Sequence, residues 1–121
     1  MKISEKLIND VWEKGRCVEG VDPAQYRKDA CGAWIAKNQF GKNSSMGWVI
    51  DHIKPQIKKG SDDIINLRPF HYLNNISKGS DFPSYIASVV AEGNKNIQRI
   101  RSCRVNAKAL ALLEPNRKKL K

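Results

Sequence analysis

Gly47-Trp48-Val49-Ile50-Asp51-His52-Ile53-Lys54-Pro55, followed by Asn66-Leu67 and Asn74-Asn75-Ile76-Ser77-Lys78-Gly79, decides how this 121-residue chain is read. The first segment sets a carboxylate beside an imidazole at the end of an apolar run. Thirteen residues then separate His52 from Asn66, and eight separate Asn66 from Asn75. An acid, a proton acceptor, an amide and a cation are the side chains needed to hydrolyse a phosphodiester around one divalent ion. His52 is the candidate general base, because an unperturbed imidazole (pKa about 6.5) is largely neutral at physiological pH and can accept a proton. A single histidine at a strand end is more often structural, so the weight falls on the spacing.

Those residues and intervals resemble the HNH endonuclease family, in the variant whose last histidine is replaced by asparagine. The resemblance covers residues 47–79 and implies a ββα-metal core. It gives each residue an expected role. Asp51 matches the position that binds a metal, and Asn75 would be the second protein ligand. The eight-residue interval selects Asn75 over the adjacent Asn74. A carboxylate and an amide oxygen are hard donors, so the expected ion is Mg²⁺ or Mn²⁺. Asn66 matches the middle residue, whose amide would bridge backbone groups of the preceding loop and aim His52. Lys78, three residues beyond Asn75, is expected to meet a phosphate of the substrate. Arg27, Lys28, Lys54, Arg68 and Lys78 are the expected nucleic-acid contacts.

Many relatives of that type carry a structural zinc between two CxxC pairs. Here Cys31 and Trp34 stand at the first pair, His71 and Asn74 at the second. Two ligands do not make a closed tetrahedral site, so no structural zinc is expected, and Trp34 and Phe70 should fill the space. Trp48 and Tyr72 are expected to pack rather than to stack on bases.

Working outward, Ser4 precedes Leu7, Ile8, Val11 and Trp12 at helical spacing, which predicts a capped amphipathic helix ending near Gly15. Residues 15–30 read as a loop, with one turn around Ala24–Lys28. Gly32–Lys37 and Gly47–Ile50 read as two strands of a hairpin with an irregular loop. Leu67, Phe70, Leu73 and Ile76 recur every three residues and predict a helix over Leu67–Lys78, with Pro69 in its first turn and Gly79 as its stop. Further helices are expected from Asp81 to about Ala91, over Lys95–Arg104 and over Asn106–Leu113. The expected class is thus a single-domain, mainly helical α+β protein with its core at 27–79 and a basic helical extension at 81–121.

The formal charge is +10, and its placement is uneven: +3 over residues 1–89 and +7 over residues 90–121. Such an excess favours a polyanionic partner, through the counterions that neutralised phosphates release. Arg99, Arg101, Arg104, Lys108 and Arg117–Lys119 are candidates to grip DNA outside the cleavage site; a solvated charged face is the plainer alternative. Three cysteines without CxxC spacing suit a reducing cytoplasm, and the resemblance implies that of a bacterial or phage-infected cell. Neither a signal segment nor a membrane-spanning run is expected. The activity that the resemblance implies is metal-dependent cleavage of DNA, double-stranded for preference, to 5′-phosphate and 3′-hydroxyl ends, with no obligatory protein partner. The alternatives are a DNA-binding module without cleavage, or a nuclease toxin with an acidic immunity partner.

Overall fold

The computed structural model describes residues 1–116, a mixed α+β fold with three α-helices and three two-stranded antiparallel sheets among them. In chain order these are α1 (Glu5–Trp12), β1 (Tyr26–Lys28), β2 (Trp34–Ala36), β3 (Trp48–His52), β4 (Leu67–His71), α2 (Tyr72–Lys78), β5 (Ser84–Glu92), β6 (Lys95–Arg104) and α3 (Ala107–Leu113). The tail Arg117–Lys121 lies outside the described residues. No described helix is long and apolar enough to cross a membrane.

Helix α1 forms as its spacing predicts. Ser4 Oγ accepts the Leu7 N–H at 3.1 Å, and Val11 and Trp12 are buried on one face. That face meets Ile35, Trp48 and Leu67, with the Trp12 and Trp48 rings 5.2 Å apart. A second cluster, Cys31, Ile53, Phe70, Tyr85, Ala87 and Val105, lies against β5. Trp48 is fully buried, as expected of a packing residue, and Tyr72 stacks on His71.

The expected pairing of Gly32–Lys37 with Gly47–Ile50 is not what forms. Strand β2 pairs with β1, which occupies the stretch read as a loop, in the register Arg27↔Ile35. Strand β3 pairs instead with β4, with Asp51 opposite Arg68 and His52 opposite Leu67. Between β2 and β3 remain one backbone bond, Ala36 N–H to Met46 O at 3.0 Å, and a bridge from Phe40 to Trp48.

Strand β4 also corrects the expected helix over Leu67–Lys78, of which only Tyr72–Lys78 is helical. Pro69 biases Arg68 toward extended backbone, and a two-stranded sheet tolerates a proline because both of its strands are edges. His71 ends the strand and caps the helix, its Nδ1 accepting the Leu73 N–H at 3.1 Å. Ile76 is exposed, so part of the three-residue recurrence served no core.

The C-terminal region departs furthest from expectation: residues 84–104 form a long hairpin where two helices were expected. Tyr85, Ala87 and Val89 are buried at every second position, the periodicity of a strand. Glu92 pairs with Lys95 across a two-residue turn. Gly93, at φ 62°, takes the first central position, where type II′ turns favour glycine. Helix α3 follows as expected, capped by Asn106 Oδ1 on the Ala109 N–H.

Candidate active site

His52 is the last residue of β3, and its ring Nε2 lies 2.7 Å from Asp62 Oδ1. The hydrogen bond from His52 holds the Asp62 carboxyl below its usual range. An ionised carboxylate only accepts, so Nε2 carries the shared proton and Nδ1 is the ring nitrogen left for another partner. The side chain of His52 is 19% exposed, enough for water to reach it. Gln56 Nε2 also donates to Asp62 Oδ1 at 3.0 Å, which fixes the carboxylate in turn. Asp62 was absent from the sequence-based site. The need for a partner to the imidazole was legible there, but its position within the charged loop 54–63 was not.

Asn66 bridges backbone groups of the loop that follows His52. Its Oδ1 accepts the Lys54 N–H at 2.8 Å, and its Nδ2 donates to the carbonyls of Lys54 (3.0 Å) and Ser61 (2.8 Å). The loop that carries Asp62 is thereby closed across its neck. Gly60 lies in the same neck, where a Cβ would come 1.7 Å from the Lys54 carbonyl oxygen.

Asp51 faces the other side of β3 and is 4% exposed. Arg68 Nε donates to its Oδ2 at 2.8 Å, and Lys78 Nζ stands 3.4 Å from its Oδ1. Lys78 also donates to the His52 carbonyl at 3.1 Å. One buried lysine from α2 thus ties down both residues of the Asp51-His52 pair. Burial pushes the Lys78 ammonium below its ordinary pKa, while Asp51 pulls the other way. For Arg68, burial is the largest influence and works against the charge, but Asp51 and Tyr85 together outweigh it, so the guanidinium stays protonated.

These placements correct two expected nucleic-acid contacts. Lys78, 1% exposed, has no surface to offer a phosphate; it is a tether. Arg27 is buried too, its donors taken by the carbonyls of Pro23, Glu13 and Gly15 and by the Glu13 carboxylate. Of the others, Lys54 pairs with Glu114 at 3.1 Å, and Lys28 lies 4.9 Å above the Trp34 ring. Arg68 is 8% exposed and lies over Phe70 and Tyr85.

Of the residues at the zinc positions, Cys31, His71 and Asn74 meet at the Asp29 carboxylate, while the Cys31 thiol and the His71 ring turn to other partners. Cys31 Sγ lies 3.2 Å from Cys103 Sγ and 3.5 Å from the Tyr85 hydroxyl. His71 Nε2 meets the Ser45 carbonyl at 2.9 Å, and burial pushes its pKa down. Asp29 Oδ1 accepts from the N–H groups of Cys31 and Ala33, its Oδ2 from His71 N–H and Asn74 Nδ2. Among the described residues no three of His, Cys, Asp and Glu are grouped to hold a metal ion.

For a divalent ion at the expected position, the donors are Asp51 and Asn75. Asn75 sits one turn before Lys78 on α2, half-buried, and its side-chain amide has no hydrogen bond among the described residues. Asp51 Oδ1 has only the loose contact to Lys78. Two hard oxygens with water completing the shell suit Mg²⁺ or Mn²⁺ in kind. The donors fit in kind, while Arg68 and Lys78, two buried cations beside Asp51, oppose an ion there.

No family model, curated protein or solved structure matches this chain.

Proposed function

We propose that the protein is an endonuclease of the ββα-metal type, hydrolysing DNA phosphodiesters to 5′-phosphate and 3′-hydroxyl ends. The observation that carries this reading is the His52–Asp62 pair: a partly exposed imidazole, fixed through Nε2, with its other nitrogen left to take a proton. Asp62 orients the ring and stabilises the imidazolium that forms when Nδ1 accepts a proton from the attacking water. Asn66 holds the loop that presents Asp62. Lys78 fixes the backbone of His52 and so the height of the ring. A divalent ion, held by Asp51 and Asn75 when bound, would supply electrostatic stabilisation of the phosphate oxygens and of the leaving oxygen. Double-stranded DNA is the substrate we favour, encountered in the cytoplasm of a bacterial or phage-infected cell.

The second reading, a DNA-binding module without cleavage, draws on one observation: Asp51 is already neutralised by Arg68 and Lys78. Incubation of supercoiled plasmid with the protein, with Mg²⁺ or Mn²⁺ and with excess chelator, separates the two. Nicked and linear products that need the ion and vanish in His52→Ala support the nuclease. Retarded but intact plasmid in every lane supports the binding module.

A further inference from the structure

A cavity of about 720 Å³ opens between the end of α1, β4 and the β6–α3 junction. Its lining carries seven cationic side chains and one acid, Asp29, whose carboxylate is consumed by four N–H donors. Arg68 and Lys14 belong to the lining near β4, Arg16 and Lys28 to the β1 side, and Arg101, Arg104 and Lys108 to the far side. Arg68 alone of these touches a carboxylate among the described residues, that of Asp51. Arg16 and Arg101 donate only to the carbonyls of Ala30 and Cys31, and Lys14 to those of Ile64 and Leu67. The positive charge is thus confined but not compensated.

Arg68 is fixed in that lining by Asp51 and by the faces of Phe70 and Tyr85. It is more than nine-tenths buried, and its Nη2 has no acceptor among the described residues. A buried N–H on a charged group is costly to leave unpaired. Burial and the Arg68 charge also push the Lys14 ammonium below its usual pKa, so like charges crowd here. Beside the cations lie apolar surfaces of Ile53, Ile65, Ala109 and Leu112. An anion with an apolar body fits such a lining better than a bare inorganic ion.

We propose that this cavity binds one nucleotide unit, its phosphate among the cations and its base or sugar against the apolar wall. The unit is either a free nucleotide or a nucleotide of a single strand; a duplex backbone cannot carry its stacked bases into a recess of this size. The proposal does not rest on the hydrolase reading, because the site is separate from the His52 ring and needs no metal.

The test is a titration of the full chain in excess chelator at low salt, where cleavage is silent. The probes are adenosine 5′-monophosphate, adenosine, and a 5′-phosphorylated hexathymidylate. Saturable one-to-one binding of the monophosphate, with adenosine about tenfold weaker or worse, identifies a free nucleotide as occupant; binding of the oligonucleotide alone identifies a strand. Arg104→Glu with Lys108→Glu, both exposed, should weaken binding about tenfold. Lys95→Glu with Arg99→Glu makes the same charge change outside the cavity and should alter it less than about threefold. Failure of both phosphorylated probes to saturate at millimolar concentration overturns the proposal. So does equal binding of adenosine, or equal weakening by the two double variants.

Discussion

At the scale of single residues, the distance that matters most is the 2.7 Å between His52 Nε2 and Asp62 Oδ1. If Asp62 positions the base, Asp62→Asn should lower kcat for plasmid nicking by roughly 10- to 100-fold with KM little changed, and should shift the acidic limb of the pH profile. A merely structural Asp62 would leave that limb in place. His52→Ala should remove about 10²–10⁴ of the rate while retaining DNA binding. Asn66 is a different case, since its three hydrogen bonds are to backbone atoms and it is fully buried. Asn66→Ala should cost about 2–4 kcal/mol, read from urea unfolding, because it strips a buried loop neck of its partners. A loss below about 0.5 kcal/mol would mean that the neck closes without it.

Between elements, the junction of α2 with β5 centres on the Asn74 side chain, with Ser77 Oγ donating to the Ile86 carbonyl and Ser88 Oγ to the Leu73 carbonyl beside it. The β5–β6 register shifts between Ala87 and Val89, and the Asn74 amide meets the irregularity: Oδ1 accepts from the N–H groups of Ser88 and Val89, and Nδ2 donates to the Val89 carbonyl. Asn74→Ala should therefore raise hydrogen exchange at Ser88 and Val89 before it affects α1, a local opening rather than global unfolding. Uniform acceleration across all three sheets would refute that order. The same junction explains why the chain was only partly legible. Helices α1 and α3 carry side-chain caps written in neighbouring residues, Ser4 and Asn106; both helices were expected, and the cap of the first with them. The order strand, strand, helix was expected from Gly32–Lys37, Gly47–Ile50 and Leu67–Lys78, but the strand that precedes α2 is β4, inside the stretch expected to be helical. Strand partners were not legible, because β3 chooses β4 over β2 through contacts 17 residues apart, such as Asp51 with Arg68. The hairpin at 84–104 was readable in principle: Tyr85, Ala87 and Val89 alternate, and Gly93-Asn94 is a turn signal. The helical reading passed over both. Lys78 and Arg27 looked like surface cations because burial of a charged side chain leaves no trace in local sequence.

Over the whole molecule, charge and burial combine to set when the fold survives. The excess of cations is carried by residues 90–121, whereas the candidate base is held by an acid. The buried His71 gives stability a pH dependence of its own. It stands where β4 ends and α2 begins, 1% exposed, with Nδ1 accepting from Leu73 and Nε2 facing the Ser45 carbonyl. Burial lowers its pKa in the folded chain, while in the unfolded chain it titrates near 6.5. Below that pH the unfolded state takes up a proton that the folded state refuses, so stability is full above about pH 6.5 and declines as pH falls through it. Asp62, held below its usual carboxylate range by His52, loses its contribution only in more acidic solution, below about pH 4. The urea midpoint of the native protein should therefore drop between pH 7.5 and 5.5. His71→Asn, whose side chain can still accept the Leu73 N–H, should show a lower midpoint at pH 7.5 but a flatter profile across that window. A profile as steep in His71→Asn as in the native chain would move the cause to another group.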